Sequence, residues 1–188
     1  MKRLPILLLT ALVVMFSACK GKKQANSDII KIDYEAPKPS GPIAMDTDVQ
    51  STEVEWAEGR HYTVKISRIA VDSLPMVSND LEQKFIDNAI KLEVRRADST
   101  LFFNRTLTKQ AFVKWLDSDY RKKAILAGAS FQKAEENNLL FVAWLNYPES
   151  GDDEAVDMQL SINRQGELSI APLTEDERED LMLQDQEL

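Results

Sequence analysis

The chain has 188 residues, enough for one domain of ordinary size with tails, and its net charge of −8 argues against nucleic acid or anionic lipid as a partner of its body. It holds a single cysteine, Cys19, so no internal disulfide can form.

Met1-Lys2-Arg3, an apolar run from Leu4 to Phe16 and the small pair Ser17-Ala18 follow the order of a secretory signal: basic start, apolar middle, small-residue cleavage site. The run is about 13 residues, short of the roughly 20 that a membrane-spanning helix needs. A cysteine directly after such a site is the pattern of a bacterial lipoprotein. It predicts that residues 1–18 are a signal peptide, that Cys19 is acylated, and that the mature protein hangs from a membrane by lipid. Residues 19–50 read as lipidated cysteine and flexible tether. Pro37, Pro39, Ser40, Gly41 and Pro42 break any apolar period there. Lys20, Lys22 and Lys23 sit beside the acyl chains, where cations favour anionic headgroups.

Residues 51–172 predict one antiparallel sheet domain. Thr52, Val54 and Trp56 alternate with acids. Tyr62, Val64 and Ile66 follow Glu58-Gly59, and Ile90, Leu92 and Val94 alternate with charges. Leu101, Phe103 and Leu107 come after the turn Ala97-Asp98-Ser99. Period two with β-branched and aromatic residues is the strand signature. Thr108 could cap a short helix placing Phe112, Trp115 and Leu116 at i, i+3 and i+4, ending near Asp117-Ser118-Asp119. Strand pattern resumes at Ile125–Phe131. Leu139 to Tyr147, apolar on both faces, predicts a central or covered strand. Val156–Ile162 and Leu168–Ile170 complete the series around the turn Arg164-Gln165-Gly166. The fold class expected is α+β, mostly β: an antiparallel meander of about seven strands, flat or curled, with one short helix inserted after the third long strand. Residues 173–188 form an acidic tail, where Thr174 and Glu177 have capping-box spacing.

No catalytic set emerges. His61 is the only histidine, and it starts a strand beside Arg60 without a Ser or Cys partner. With Cys19 consumed by lipid, a zinc site would rest on carboxylates alone, and none is expected. Asp152, Asp153, Glu154 and Asp157 form an acidic loop that could hold calcium through oxygens, and Asp46 and Asp48 are a thinner version. Neither has the twelve-residue loop pattern, so the loop at 149–154 reads as a solvated hairpin. Paired carboxylates for glycoside hydrolysis would need two acids facing each other across a cleft. Arg95, Arg96, Arg121, Lys122 and Lys123 are basic islands that could receive an anionic partner or pair with neighbouring acids. Phe102 points opposite to Leu101 and Phe103, so it should face outward. These six residues form the candidate interaction surface. Asp72-Ser73-Leu74 and Asp98-Ser99-Thr100 have the form of short O-glycosylation sequences, a pattern that arises easily by chance.

The segments His61-Tyr62-Thr63-Val64-Lys65, Asp87-Asn88, Arg95-Arg96-Ala97-Asp98, Phe102-Phe103-Asn104-Arg105, Tyr120-Arg121-Lys122-Lys123, Tyr147-Pro148 and Gly166-Glu167-Leu168-Ser169-Ile170 carry a resemblance. Through them Gly59 to Ile170 resembles an uncharacterised family of Bacteroidetes lipoproteins, a domain of unknown function. The resemblance implies a Gram-negative envelope setting and brings no activity or catalytic residues. Lys20-Gly21-Lys22-Lys23 stands where surface-exposed lipoproteins of such bacteria often carry an acidic export signal. That departure favours the periplasmic face of the outer membrane.

The function expected is a non-enzymatic binding or interaction module, anchored to the membrane through its N-terminal lipid and meeting an envelope protein, a glycan or a small ligand. No cofactor and no nucleic acid is expected. The alternative is a carrier enclosing a small apolar ligand within a curled sheet.

Overall fold

The computed structural model describes residues 41–150, 154–174 and 178, all within one compact unit. The leader, Cys19, most of the tether, Asp152, Asp153 and nearly all of the tail lie outside the described residues.

Strands β1 (Asp48–Trp56) and β2 (Arg60–Ala70) are followed by a small hairpin of β3 (Val77–Ser78) and β4 (Lys84–Phe85), then by β5 (Asn88–Arg96) and β6 (Leu101–Thr108). β1, β2, β5 and β6 pair in that order as one antiparallel sheet. A 3-10 turn at Lys109–Ala111 and helix α1 (Ser118–Lys123) lead into β7 (Ile125–Ala134), β8 (Asn138–Asn146), β9 (Val156–Asn163) and β10 (Leu168–Pro172). These four form a second antiparallel meander. The expected single meander of about seven strands is therefore corrected to two four-stranded sheets plus a two-stranded hairpin, and neither large sheet is curled.

The physical reason is coverage. A sheet with one apolar face must bury that face against another layer. Val54, Tyr62, Val64, Ile66, Leu92 and Val94 of the first sheet share one core with Leu139, Phe141, Leu145, Met158, Leu160 and Ile162 of the second. β7 approaches β1, β2 and β5 in turn and so runs across the first sheet. Its start bonds to Asn88 at the beginning of β5, where Asn88 Nδ2 donates to the Leu126 carbonyl at 2.9 Å. Beyond its end, the Glu135 carbonyl accepts from Trp56 Nε1 at 2.7 Å. β8 is central between β7 and β9, as its two apolar faces predicted.

Phe112 and Leu116 are buried in the shared core, but not on the helix expected for them. They lie on the 3-10 turn and the turns after it, and Thr108 makes no side-chain cap. The helix forms one step later, because Asp117 is the better cap: its Oδ1 accepts from Asp119 N at 2.8 Å and Tyr120 N at 2.9 Å. It follows the fourth long strand rather than the third. The segment expected as the end of the tether is also paired. Ile43 forms a parallel bridge with Phe85, and β1 begins at Asp48.

Candidate functional site

The cleft begins with a bulge. Leu126 pairs with Leu145 and Gly128 with Trp144, which leaves Ala127 as an extra residue in β7. A bulge bends its strand and re-aims the groups around it. Here it frees the Ala127 carbonyl, which accepts from Arg68 Nη1 at 2.7 Å. Gly128 lets the Trp144 ring lie on the backbone: a Cβ there would meet Trp144 Cζ2 at 2.2 Å. The outward residues of β8 thus present Trp144 and Asn146 beside Ile125 and Ala127. The segment Ile43–Met45 and Phe85 of the small hairpin form the opposite wall. Between them lies a half-open cleft of about 450 Å3.

Arg68 supplies the charge in its wall. It continues the inward phase of β2 after Tyr62, Val64 and Ile66, at the position paired with Ile90 and Asp48. Its Nη2 donates to the Asp46 carbonyl at 3.1 Å. Its Nε is enclosed without a hydrogen-bond partner among the described residues. It makes no ion pair among them either. Arg68 is the sole cation among the residues lining the cleft; Glu149 lines the rim and accepts from Asn79 Nδ2 at 2.9 Å.

Tyr147 and Pro148 also wall a second cavity of about 400 Å3, with Asn79, Asp80, Asp119, Lys123 and Glu154 around it. Tyr147 packs on Tyr120 with ring centroids 4.5 Å apart, and its hydroxyl donates to Asp119 Oδ2 at 2.9 Å. Burial, and then the hydrogen bond to Asp119, push the Tyr147 hydroxyl well above the ordinary tyrosine range. The Tyr120 hydroxyl, also raised, chiefly by burial, donates to the Glu154 carbonyl. Lys123 bridges Asp80 at 2.8 Å and Asp119 at 3.7 Å. Its hydrogen bond holds Asp80 below the usual carboxylate range, and Lys123 is raised in return. Three carboxylates, of Asp80, Asp119 and Glu154, thus border one cavity, and Asp80 is biased toward the anion, the opposite of what a general acid requires.

Beneath the cleft, Asp87 is buried at 2% exposure and ties three segments together. Its Oδ1 accepts from Asn88 N at 2.8 Å and from Leu126 N at 2.9 Å, and its Oδ2 lies 3.3 Å from Lys109 Nζ. Lys109 also donates to the Ala124 carbonyl at 2.6 Å.

The six residues of the expected interaction surface fall into two groups at opposite ends of β7. Phe102 does not face outward as expected. Val94 pairs with Phe103 and Arg95 with Leu101, so Phe102 is the extra residue of a bulge that turns its ring edge-on to Trp56 and Tyr62, with centroids 5.7 Å away in each case. Arg96 lies 5.0 Å over that ring. Arg95 is engaged by Glu93 at 2.7 Å, and hydrogen bonds from Lys91 and then Arg95 lower the Glu93 pKa. Arg121, Lys122 and Lys123 lie on α1, the first two exposed.

His61 is exposed on β2 opposite Glu55. Glu154 borders the second cavity, and Asp157 lies 3.8 Å from Arg178 Nε. Among the described residues no group of three or more His, Cys, Asp or Glu side chains is placed to hold a metal.

Sequence reasoning missed Arg68 and Asn88. Both carry a legible signal, because each is polar at an inward position of an otherwise apolar alternation. No curated protein matches the chain. A family model matches residues 28–170, and on that match the chain belongs to the family described as Domain of unknown function (DUF4738).

Proposed function

We propose that the protein is a lipid-anchored, non-enzymatic binding module of the cell envelope, carried by Cys19 on the periplasmic face of a Bacteroidetes-type outer membrane, and that it binds its ligand in the cleft beside β7. The observation that carries the binding role is the cleft itself: about 450 Å3, within the roughly 300–1,000 Å3 of small-molecule sites, with apolar walls and one unpaired cation. The signal-like leader and the cysteine behind it support the anchor. The carrier reading in its original form loses its premise, since the sheets are not curled and Phe112 and Leu116 fill the space between them.

Two measurements test this. Radiolabelled palmitate should enter the wild-type chain, which should fractionate with the outer membrane. Ile43, half exposed at the mouth of the cleft, can be enlarged: Ile43→Trp should abolish the thermal stabilisation produced by small amphiphiles. Absence of label in the wild type refutes the anchor. Amphiphile binding untouched by Ile43→Trp, or turnover of a bound compound, refutes the binding role assigned to the cleft.

A further inference from the structure

We propose that the cleft takes a small aliphatic monocarboxylic acid, with its carboxylate on the Arg68 guanidinium and its hydrocarbon part against Met45, Phe85, Ile125 and Trp144. This rests on the reading of the cleft as the binding site. The chain has 31 acidic residues, yet none of the described ones pairs with Arg68. Its terminal nitrogens each donate to a backbone carbonyl, of Ala127 and of Asp46, which satisfies one N–H apiece, while Asp48, opposite it on β1, accepts from Gln50 and forms no ion pair with it. A cation left unpaired against apolar walls favours an anion, and the planar fork of arginine matches a carboxylate best.

The rest of the lining narrows the class. A single cation stands in the wall, so one negative charge is matched and a dianion is not. Glu149 at the rim disfavours a second acidic group on the ligand. The remaining lining is largely apolar, so the ligand's tail is hydrocarbon. A volume of about 450 Å3 suits one short or medium chain and not a two-chain lipid.

The test uses the full-length protein in nanodiscs and two probes of equal chain length, decanoate and decanol, titrated below their micelle-forming concentrations. Wild type should bind decanoate at least about tenfold more tightly than decanol. Arg68→Gln should bring the two affinities together, and Arg68→Lys, which keeps the charge without the fork, should retain part of the preference. Thermal unfolding of each variant reports whether it is folded; if Arg68→Gln is not, the wild-type ratio and Arg68→Lys decide. Equal binding of acid and alcohol, both blocked by Ile43→Trp, overturns the ligand class and leaves the cleft as a binding site. Binding of neither probe, or binding insensitive to Ile43→Trp, overturns both.

Discussion

Replacing Asp87 with alanine removes one carboxylate and strands three donors: the backbone N–H groups of Asn88 and Leu126, and the Lys109 ammonium. Each buried N–H left unpaired costs about 1–3 kcal/mol, and breaking a buried ion pair by removing one partner costs about 3–5 kcal/mol. These penalties share the same oxygens and cannot be added. Lys109 keeps the Ala124 carbonyl, which softens its loss. The expected destabilisation is therefore about 3–5 kcal/mol, a large part of the roughly 5–15 kcal/mol of a typical domain. Asp87→Asn keeps an oxygen for the two N–H groups and should cost less, about 1.5–3 kcal/mol, the worth of a charged hydrogen bond. Adding Lys109→Met to Asp87→Asn removes the stranded ammonium, so the double variant should be more stable than the sum of the two single losses implies. Urea unfolding followed by tryptophan fluorescence and circular dichroism gives these values, provided the two probes coincide and the slope is unchanged. A loss below about 1 kcal/mol for Asp87→Ala would refute the reasoning, as would strict additivity in the cycle.

Gly128→Ala forces the Trp144 ring off the strand, since the new methyl would lie 2.2 Å from Cζ2; it should cost about 1–3 kcal/mol and change the near-ultraviolet spectrum of the tryptophans. Phe102→Ala should cost about 1–3 kcal/mol by opening the three-ring cluster with Trp56 and Tyr62, read by thermal unfolding. Tyr147 is raised in the fold above the ordinary value of 10.0, so the folded state holds that proton more tightly than the unfolded chain does. The stability this contributes is complete below about pH 10 and is lost as pH rises through the higher folded value. Asp119→Asn should bring Tyr147 ionisation to lower pH in an ultraviolet titration. Cys19→Ser should take up no palmitate and accumulate as uncleaved precursor, whereas label in that variant contradicts acylation at Cys19.

Much of the strand content was legible because one face of each sheet is dry. Tyr62, Val64 and Ile66 on β2, or Met158, Leu160 and Ile162 on β9, alternate with polar neighbours, and the pleat turns that alternation directly into a buried face. The division into two sheets was not legible. It depends on where β7 goes after α1, and period two is blind to whether a strand extends the previous sheet or crosses it. The hairpin at residues 77–85 escaped for a related reason. Strands of two residues are too short to show a period, and this pair is held by Asn79, whose Oδ1 accepts from Leu81 N and Gln83 N at 3.0 Å each. The helix begins after Asp117 rather than after Thr108 because spacing alone favoured Phe112, Trp115 and Leu116, while the Asp117 cap decided where regular hydrogen bonding starts.

The cleft shows why the site was harder to read than the fold. Two register irregularities defeat the facing read from the sequence: Ala127 without a partner in β8, at the cleft, and Phe102 without one in β5, at the other end of β7. A bulge shifts every later residue by one relative to its neighbour strand, so the facing inferred from simple alternation fails there. It sent Phe102 to the wrong side and hid the carbonyl that holds Arg68. The inward polar residues did not depend on register. Arg68 continues Tyr62, Val64 and Ile66, and Asn88 precedes Ile90, Leu92 and Val94, each in phase with the buried face of its own strand. Burying a cation or an amide there is costly unless something compensates it. For Asn88 part of the compensation is internal, through the Leu126 carbonyl. For Arg68 two carbonyls take hydrogen bonds and none of the described carboxylates forms an ion pair with it, which is the ground for proposing that a ligand's carboxylate sits there. An alternating strand that turns charged on its inward phase, next to a bulge, is therefore the place on this sheet to look for a ligand.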